Sequence, residues 1–91
     1  MNDVATQVRQ HLGTPPGAAA VLVGLSNDDS LVDAGLLDSL ALFNIASFVE
    51  ERFGIEVADE ELVPEAFGTI NAVVALIERK LAAASLRPVG N

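Results

Sequence analysis

Apolar residues recur at helical spacing in this 91-residue chain, and no stretch alternates between apolar and polar residues as a β-strand would. In residues 3–12, Val4, Val8 and Leu12 are four positions apart, which places them on one face of a helix. A longer stripe near the end of the chain consists of Ile70, Val73, Val74, Ile77 and Leu81. This pattern predicts an all-α fold.

Capping and breaking residues set the limits of three longer helices. Asp3 is placed to cap the first, which stops at the Gly- and Pro-rich turn of residues 13–16. The second is expected from Ser39 to Phe53 and ends at Gly54, since glycine is the usual residue after a helix. The third begins after Thr69, a good N-cap.

A fourth, short helix is expected at Pro64, because proline suits the first helical position. The long connection of residues 17–38 contains an apolar patch, residues 18–25, with room for one helical turn. Connections of this length are often functional. We therefore expect a small four-helix bundle of three longer helices and one short helix, with a long loop between helices 1 and 2. Residues 1–85 form one domain and residues 86–91 a flexible tail.

The composition excludes several kinds of site. The chain has no cysteine and a single histidine, His11, so it has no disulfide, no zinc–thiolate site, no thiol nucleophile and no multi-histidine metal site. The acidic run of residues 27–33 lacks the ligand spacing of a calcium loop. No metal site and no catalytic residue is predicted.

The charge points to protein partners. The formal net charge is −8, and residues 28–65 hold eleven acidic residues against one basic residue, Arg52. Such a surface repels nucleic acid and anionic membranes and favours basic protein surfaces. The longest apolar run, residues 17–25, has nine residues, whereas a membrane span needs about 20. With no targeting segment visible, we expect a soluble cytoplasmic protein.

The junction between the long loop and the central helix is the candidate site. Asp38 precedes Ser39 there, so the Ser39 hydroxyl lies where unpaired backbone N–H groups and the positive end of the helix dipole favour a phosphate. The simpler interpretation is that Asp38 and Ser39 are only a helix cap. A hydrolase is disfavoured because no base accompanies the serine.

One face of the central helix is unusual. At about 100° per residue, the core side consists of Leu42, Ile45, Ala46, Val49 and Phe53. The polar side consists of Asn44, Ser47, Glu51 and Arg52, yet Leu40, Ala41 and Phe48 fall on it as well. Isolated exposed apolar residues are normal, but this group is typical of a docking surface.

Three segments resemble the acyl carrier protein family: Asp38-Ser39-Leu40, residues 48–57 (FVEERFGIEV) and Asp59-Glu60-Glu61-Leu62. The resemblance covers roughly residues 28–82 and implies a helical bundle of acyl-carrier type. It further implies that Ser39 receives a 4′-phosphopantetheine arm from coenzyme A, placed there by a phosphopantetheinyl transferase. The arm holds the cargo as a thioester, and the protein itself is a non-catalytic, monomeric carrier of acyl or aminoacyl groups.

The resemblance and the mixed apolar and acidic face of the central helix together suggest roles for the surrounding residues. Asp38 caps the helix and helps the transferase dock. The main partner face consists of Leu40, Asn44, Phe48 and Glu51. The far side of this face or the cargo cleft is lined by Leu62, Val63 and Phe67.

Departures from the family pattern suggest a subtype. Many fatty-acid-synthesis carriers are acidic at the positions of Ala41 and Asn44 and smaller at that of Phe48, whereas residues 59–67 resemble free-standing carriers of polyketide or nonribosomal peptide pathways. The expected partners are an adenylating acyl or aminoacyl ligase, an acyltransferase or a ketosynthase. Residues 15–25 lie outside the resemblance. The alternative is an unmodified acidic module that binds a partner helix.

Overall fold

The computed structural model describes residues 4–85, which fold into helices without strands. The α-helices are α1 (Val4–Leu12), α2 (Ala18–Val23), α3 (Ser39–Phe53), α4 (Pro64–Phe67) and α5 (Ile70–Ser85), and a 3₁₀ turn spans Asp59–Glu61. The all-α prediction is confirmed. The expected Asp3 cap and the expected tail of residues 86–91 lie outside the described residues.

The fold contains one short helix more than the predicted four. The apolar patch in the long connection forms α2, a six-residue helix that buries Ala18 and Leu22. Gly17 before it has φ of +84°, a conformation that only glycine adopts without strain. The loop expected between the first two long helices is therefore partly helical and packs against α1.

The core lies between α1, α3 and α5, with α4 packed on α5. Its fully buried side chains include Val8, Leu31, Ile45, Val49, Phe67, Ile70, Val73 and Ile77. The predicted core stripe of α3 is confirmed, because Ile45, Ala46 and Val49 are buried while Leu42 and Phe53 pack against the core as half-buried residues. No helix in residues 4–85 has the length and apolarity needed to cross a bilayer.

Arg9 of α1 fixes the position of α2. Its guanidinium donates hydrogen bonds to the carbonyl oxygens of Leu22 (2.5 Å) and Leu25 (3.0 Å) and to Asn27 Oδ1 (2.8 Å). The Leu22 carbonyl in the last turn of α2 also accepts the Leu25 N–H at 3.0 Å, and the Leu25 carbonyl lies just after the helix, so Arg9 adds donors where the helical bonding pattern ends. A single side chain therefore joins α1, the end of α2 and the loop that follows.

The loop that leads to α3 is attached to the other end of the bundle. Leu31 is fully buried, and its N–H donates to the Gly68 carbonyl at 2.8 Å. Asn71 of α5 donates its N–H to the Asn27 carbonyl at 3.0 Å. Both hydrogen bonds attach this loop to the α4–α5 region. The loop that leads to the start of α3 is therefore fixed to the bundle.

Candidate functional site

The first turn of α3 is capped as the sequence predicts. Asp38 is extended, with φ of −136°, and its Oδ1 accepts a hydrogen bond from the Ala41 N–H at 2.8 Å. Its carbonyl accepts the first helical bond from the Leu42 N–H, also at 2.8 Å. Asp38 therefore serves as the N-cap of a 15-residue helix.

Ser39 is the first residue of that helix and is exposed to solvent. Within residues 4–85, nothing accepts a hydrogen bond from its hydroxyl, and the N–H groups of Ser39 and Leu40 have no acceptor. The first turn of α3 itself carries no acidic side chain, and the Asp38 carboxylate at the N-cap accepts the Ala41 N–H rather than those of Ser39 and Leu40. The geometry leaves a free hydroxyl beside donors that suit a phosphate group.

Three of the predicted partner-face residues are exposed on α3. Leu40 keeps 71% of its surface accessible, and Asn44 and Glu51 are also exposed. They lie along one side of the helix that starts at Ser39. Their role in binding a partner remains a prediction.

Phe48, the fourth predicted partner-face residue, is half-buried rather than free at the surface. Its ring stacks on His11 of α1, with centroids 4.3 Å apart and planes at 15°, and lies edge-on to Phe53 at 6.3 Å. A helical wheel of α3 places Phe48 on the polar side of that helix. The wheel does not show that another helix, α1, packs over this position. The last turn of α1 covers this side chain.

The residues expected on the far side of the face are more buried. Leu62 and Val63 are half-buried between the 3₁₀ turn and α4, and Phe67 has no accessible surface at all. In this conformation Phe67 belongs to the core, and the roles expected of these three residues stay predictions. Leu31, Ile70 and other fully buried residues share that core.

Phe43 is an exposed aromatic residue that the sequence reasoning missed. It lies one turn after Ser39, and 59% of its surface is accessible. Its signal was present in the sequence, since position 43 falls outside the apolar stripe that α3 presents to the core. With Leu40 it gives the first turns of α3 two large apolar side chains in solvent.

A groove runs beside α3, formed by two adjoining cavities of about 390 and 530 Å³. We call it the α2–α3 groove. Both cavities share Leu12, Pro15, Leu36, Ala41 and Asn44. One cavity reaches Asp38, Leu40 and Val21 of α2, and the other reaches Phe48 and Glu51.

The acidic residues near the site divide into structural and free ones. Glu50 accepts a hydrogen bond from the Val57 N–H at 2.9 Å. Glu61 pairs with Lys80 at 2.7 Å and Arg79 at 3.3 Å, and the hydrogen bond from Lys80 lowers the pKa of the Glu61 carboxyl. Within residues 4–85, Glu51 has no such partner, so its charge faces solvent at the end of the groove.

His11 contributes no positive charge to this site at neutral pH. Burial lowers its pKa below the ordinary value of 6.5, so the imidazole that stacks on Phe48 is mainly neutral at pH 7. Residues 4–85 contain no cluster of three histidine or acidic side chains arranged for a metal ion. The described site therefore offers a hydroxyl, backbone donors and an acidic groove.

Comparison with known proteins relates the chain to a protein family and to a curated relative. The family model described as "phosphopantetheine attachment site" matches residues 3–77. A curated relative, "Probable acyl carrier protein PigG" from a Serratia strain, is 29% identical over 56 residues, which make up 62% of this chain. The chain spans 64% of that relative's length.

Proposed function

The chain belongs to the acyl carrier protein family, whose expected covalent cofactor is 4′-phosphopantetheine, and from this premise we propose that Ser39 carries the arm. The support is the position of this serine in the structure. Ser39 is exposed at the start of a 15-residue helix, and its hydroxyl is free within the described residues. A phosphodiester formed there would be stabilised by the first-turn N–H groups and the helix dipole.

The other serines of the described chain fit less well. The Ser26 hydroxyl accepts the Asp28 N–H, and the Ser30 hydroxyl accepts the Asp33 N–H, both within the loop. Ser47 lies in the middle of α3, where backbone N–H groups are already bonded, and Ser85 ends α5. Only at Ser39, among residues 4–85, does a serine coincide with the N-terminus of a long helix.

We propose that the protein is a non-catalytic carrier of acyl or aminoacyl groups. The bound arm supplies the thiol that holds the cargo as a thioester, which the chain itself lacks because it has no cysteine. Asp38 caps the attachment helix, and the exposed face of Leu40, Asn44 and Glu51 meets the enzymes that load and unload the arm. Since coenzyme A supplies the arm, we place the protein in the cytoplasm.

Membership of the family implies interaction with a phosphopantetheinyl transferase and with biosynthetic enzymes. For this chain we propose an adenylating acyl or aminoacyl ligase as the loading enzyme and an acyltransferase or ketosynthase as the receiver, in polyketide or nonribosomal peptide biosynthesis. The uncharged residues Ala41 and Asn44 of α3 support a dedicated partner that recognises shape as well as charge. The relative's name, an acyl carrier protein, agrees with the carrier role.

Intact-protein mass spectrometry tests the attachment site. After incubation with coenzyme A and a purified phosphopantetheinyl transferase, the wild-type mass should rise by one phosphopantetheine. Ser39→Ala should gain nothing, whereas Ser47→Ala, a matched control on the same helix, should gain the full mass. Modification of Ser39→Ala would refute the assignment. An unmodified wild-type chain would favour the alternative of an acidic module that binds a partner helix.

A further inference from the structure

The α2–α3 groove begins beside Ser39 and has apolar edges on both sides. Asp38 and Leu40, which flank Ser39, line its first cavity together with Val21 of α2. Leu40 is 71% and Val21 42% exposed, although both are large apolar side chains. From Asp38 to Glu51 the groove follows about 20 Å of helix, long enough to receive a protein segment rather than one small group.

The walls of the groove carry only negative formal charge. Asp38 lies at one end and Glu51 at the other, and no lysine or arginine lines either cavity. Burial lowers the pKa of His11, so its imidazole adds little positive charge at neutral pH. A matching surface therefore combines an apolar side chain for the Val21–Leu40 edges with a basic side chain for Glu51.

The α2 wall is held in place before any partner arrives. Arg9 bonds the carbonyls of Leu22 and Leu25 at the end of α2, and Leu22 is itself buried against α1. Docking against a fixed wall costs less ordering entropy than docking against a mobile loop. The expectation that residues 15–25 lie outside the family was wrong, because the family model spans residues 3–77, and the structure gives this segment a defined place beside the attachment site.

We propose that α2 is a recognition element, and that the α2–α3 groove receives the phosphopantetheinyl transferase that modifies Ser39. The inference rests on the proposed function of Ser39. An enzyme that acts on the Ser39 hydroxyl must cover Asp38 and Leu40, so it reaches the mouth of the groove. There it places an apolar side chain between Val21 and Leu40 and an arginine or lysine beside Glu51.

Two variants of α2 test the apolar wall. The measured quantity is kcat/KM for modification by a purified phosphopantetheinyl transferase with coenzyme A, followed by intact mass. Val21→Glu should lower it about tenfold, mainly through KM, because a carboxylate replaces an apolar contact. Val23→Glu is the matched control, since Val23 is 86% exposed on the same helix but lines neither cavity of the groove. Its kcat/KM should stay within about twofold of wild type.

A second pair tests the charge and stays informative if Val21→Glu folds poorly. Glu51→Lys should lower kcat/KM about tenfold, whereas Glu56→Lys, an equal charge reversal at an exposed position outside the groove, should lower it less than threefold. If the groove variant and its control lowered kcat/KM equally in each pair, the proposed docking groove would be refuted, and Ser39 would remain the attachment site. A wild-type chain that gains no mass would overturn both proposals.

The proposal would also be refuted if the α2–α3 groove were the interface between two copies of this chain. Sedimentation of the wild-type protein and of Val21→Glu distinguishes this case. Both should sediment as monomers with the same coefficient. A wild-type dimer that Val21→Glu dissociates would assign the groove to self-association instead of to the transferase.

Discussion

Asp38 and Ser39 have separate tasks at the start of α3. One oxygen of the Asp38 carboxylate accepts the Ala41 N–H, so this residue stabilises the start of the helix. Ser39 follows it with an exposed side chain that no described group binds. A cap that faces the backbone therefore leaves the hydroxyl accessible to an enzyme.

Phe48 contributes to the packing of the fold, although the sequence pattern placed it on the exposed side of the central helix. Phe48→Ala removes the stack on His11 and the edge contact with Phe53, so we expect the free energy of unfolding to fall by about 1.5–3 kcal/mol. Urea unfolding measures this. Phe43→Ala, at an exposed position of the same helix, should change it by less than about 0.5 kcal/mol. Equal losses for both variants would contradict the packing seen here.

At the scale of elements, α2 depends on a few polar bonds as much as on apolar burial. Ala18 and Leu22 are its only buried residues, and Gly24 closes it through hydrogen bonds to Val21 and Leu22 carbonyls. A helix of six residues is too short to be stable alone in water. Its place in the fold therefore relies on the contacts that Arg9 makes with its last turn and the following loop.

Replacing Arg9 should loosen α2 selectively. Arg9→Met removes the guanidinium donor from the Leu25 carbonyl and from the Leu22 carbonyl, which keeps its bond from the Leu25 N–H, and we expect a loss of about 1–3 kcal/mol in unfolding free energy. Amide hydrogen exchange should accelerate in residues 18–27 more than in α5. Arg79→Met is the control, because Arg79 makes a surface ion pair with 67% of its side chain exposed and such pairs contribute little. Uniform acceleration along the chain would refute the local role.

Local signals in the sequence specified α3 and α5 well. The Asp38 cap, the Gly54 end with φ of +68° and the bond from the Ala72 N–H to the Thr69 hydroxyl are all interactions between near neighbours. The hydrogen bonds of Arg9 could not be predicted in this way, because its partners lie 13 to 18 residues away along the chain. The position of Phe48 likewise depends on the packing of α1 against α3, which no single-helix pattern contains.

At the scale of the whole molecule, we expect the negative charge to lower the stability of the fold slightly and to favour the binding of basic protein surfaces. The net charge is −8, and both ion pairs found within residues 4–85 involve Glu61. Exposed pairs of this kind contribute little to stability. We therefore expect repulsion among the remaining acids to outweigh these pairs, and a negative field of this kind would speed the encounter with a basic protein surface.

Salt should stabilise this protein. Raising NaCl from about 0.01 to 0.15 M shortens the Debye length from about 30 to 8 Å, which screens the repulsion between acidic side chains. We expect Tm to rise by about 3–6 °C, equivalent to roughly 0.5–1 kcal/mol. Glu56→Gln, which removes one unpaired exposed acid, should raise Tm at low salt and show a smaller salt response. A Tm that falls with added salt would mean that attractive pairs dominate.

The central claim is that Ser39 carries the phosphopantetheine arm, and tandem mass spectrometry of the modified protein tests it most directly. Cleavage after arginine and lysine yields a peptide of residues 10–52 that contains Ser26, Ser30, Ser39 and Ser47. Fragment ions that change mass between Asp38 and Leu40 should locate the whole modification on Ser39. Modification at any of the other three serines, with Ser39 unmodified, would contradict this account.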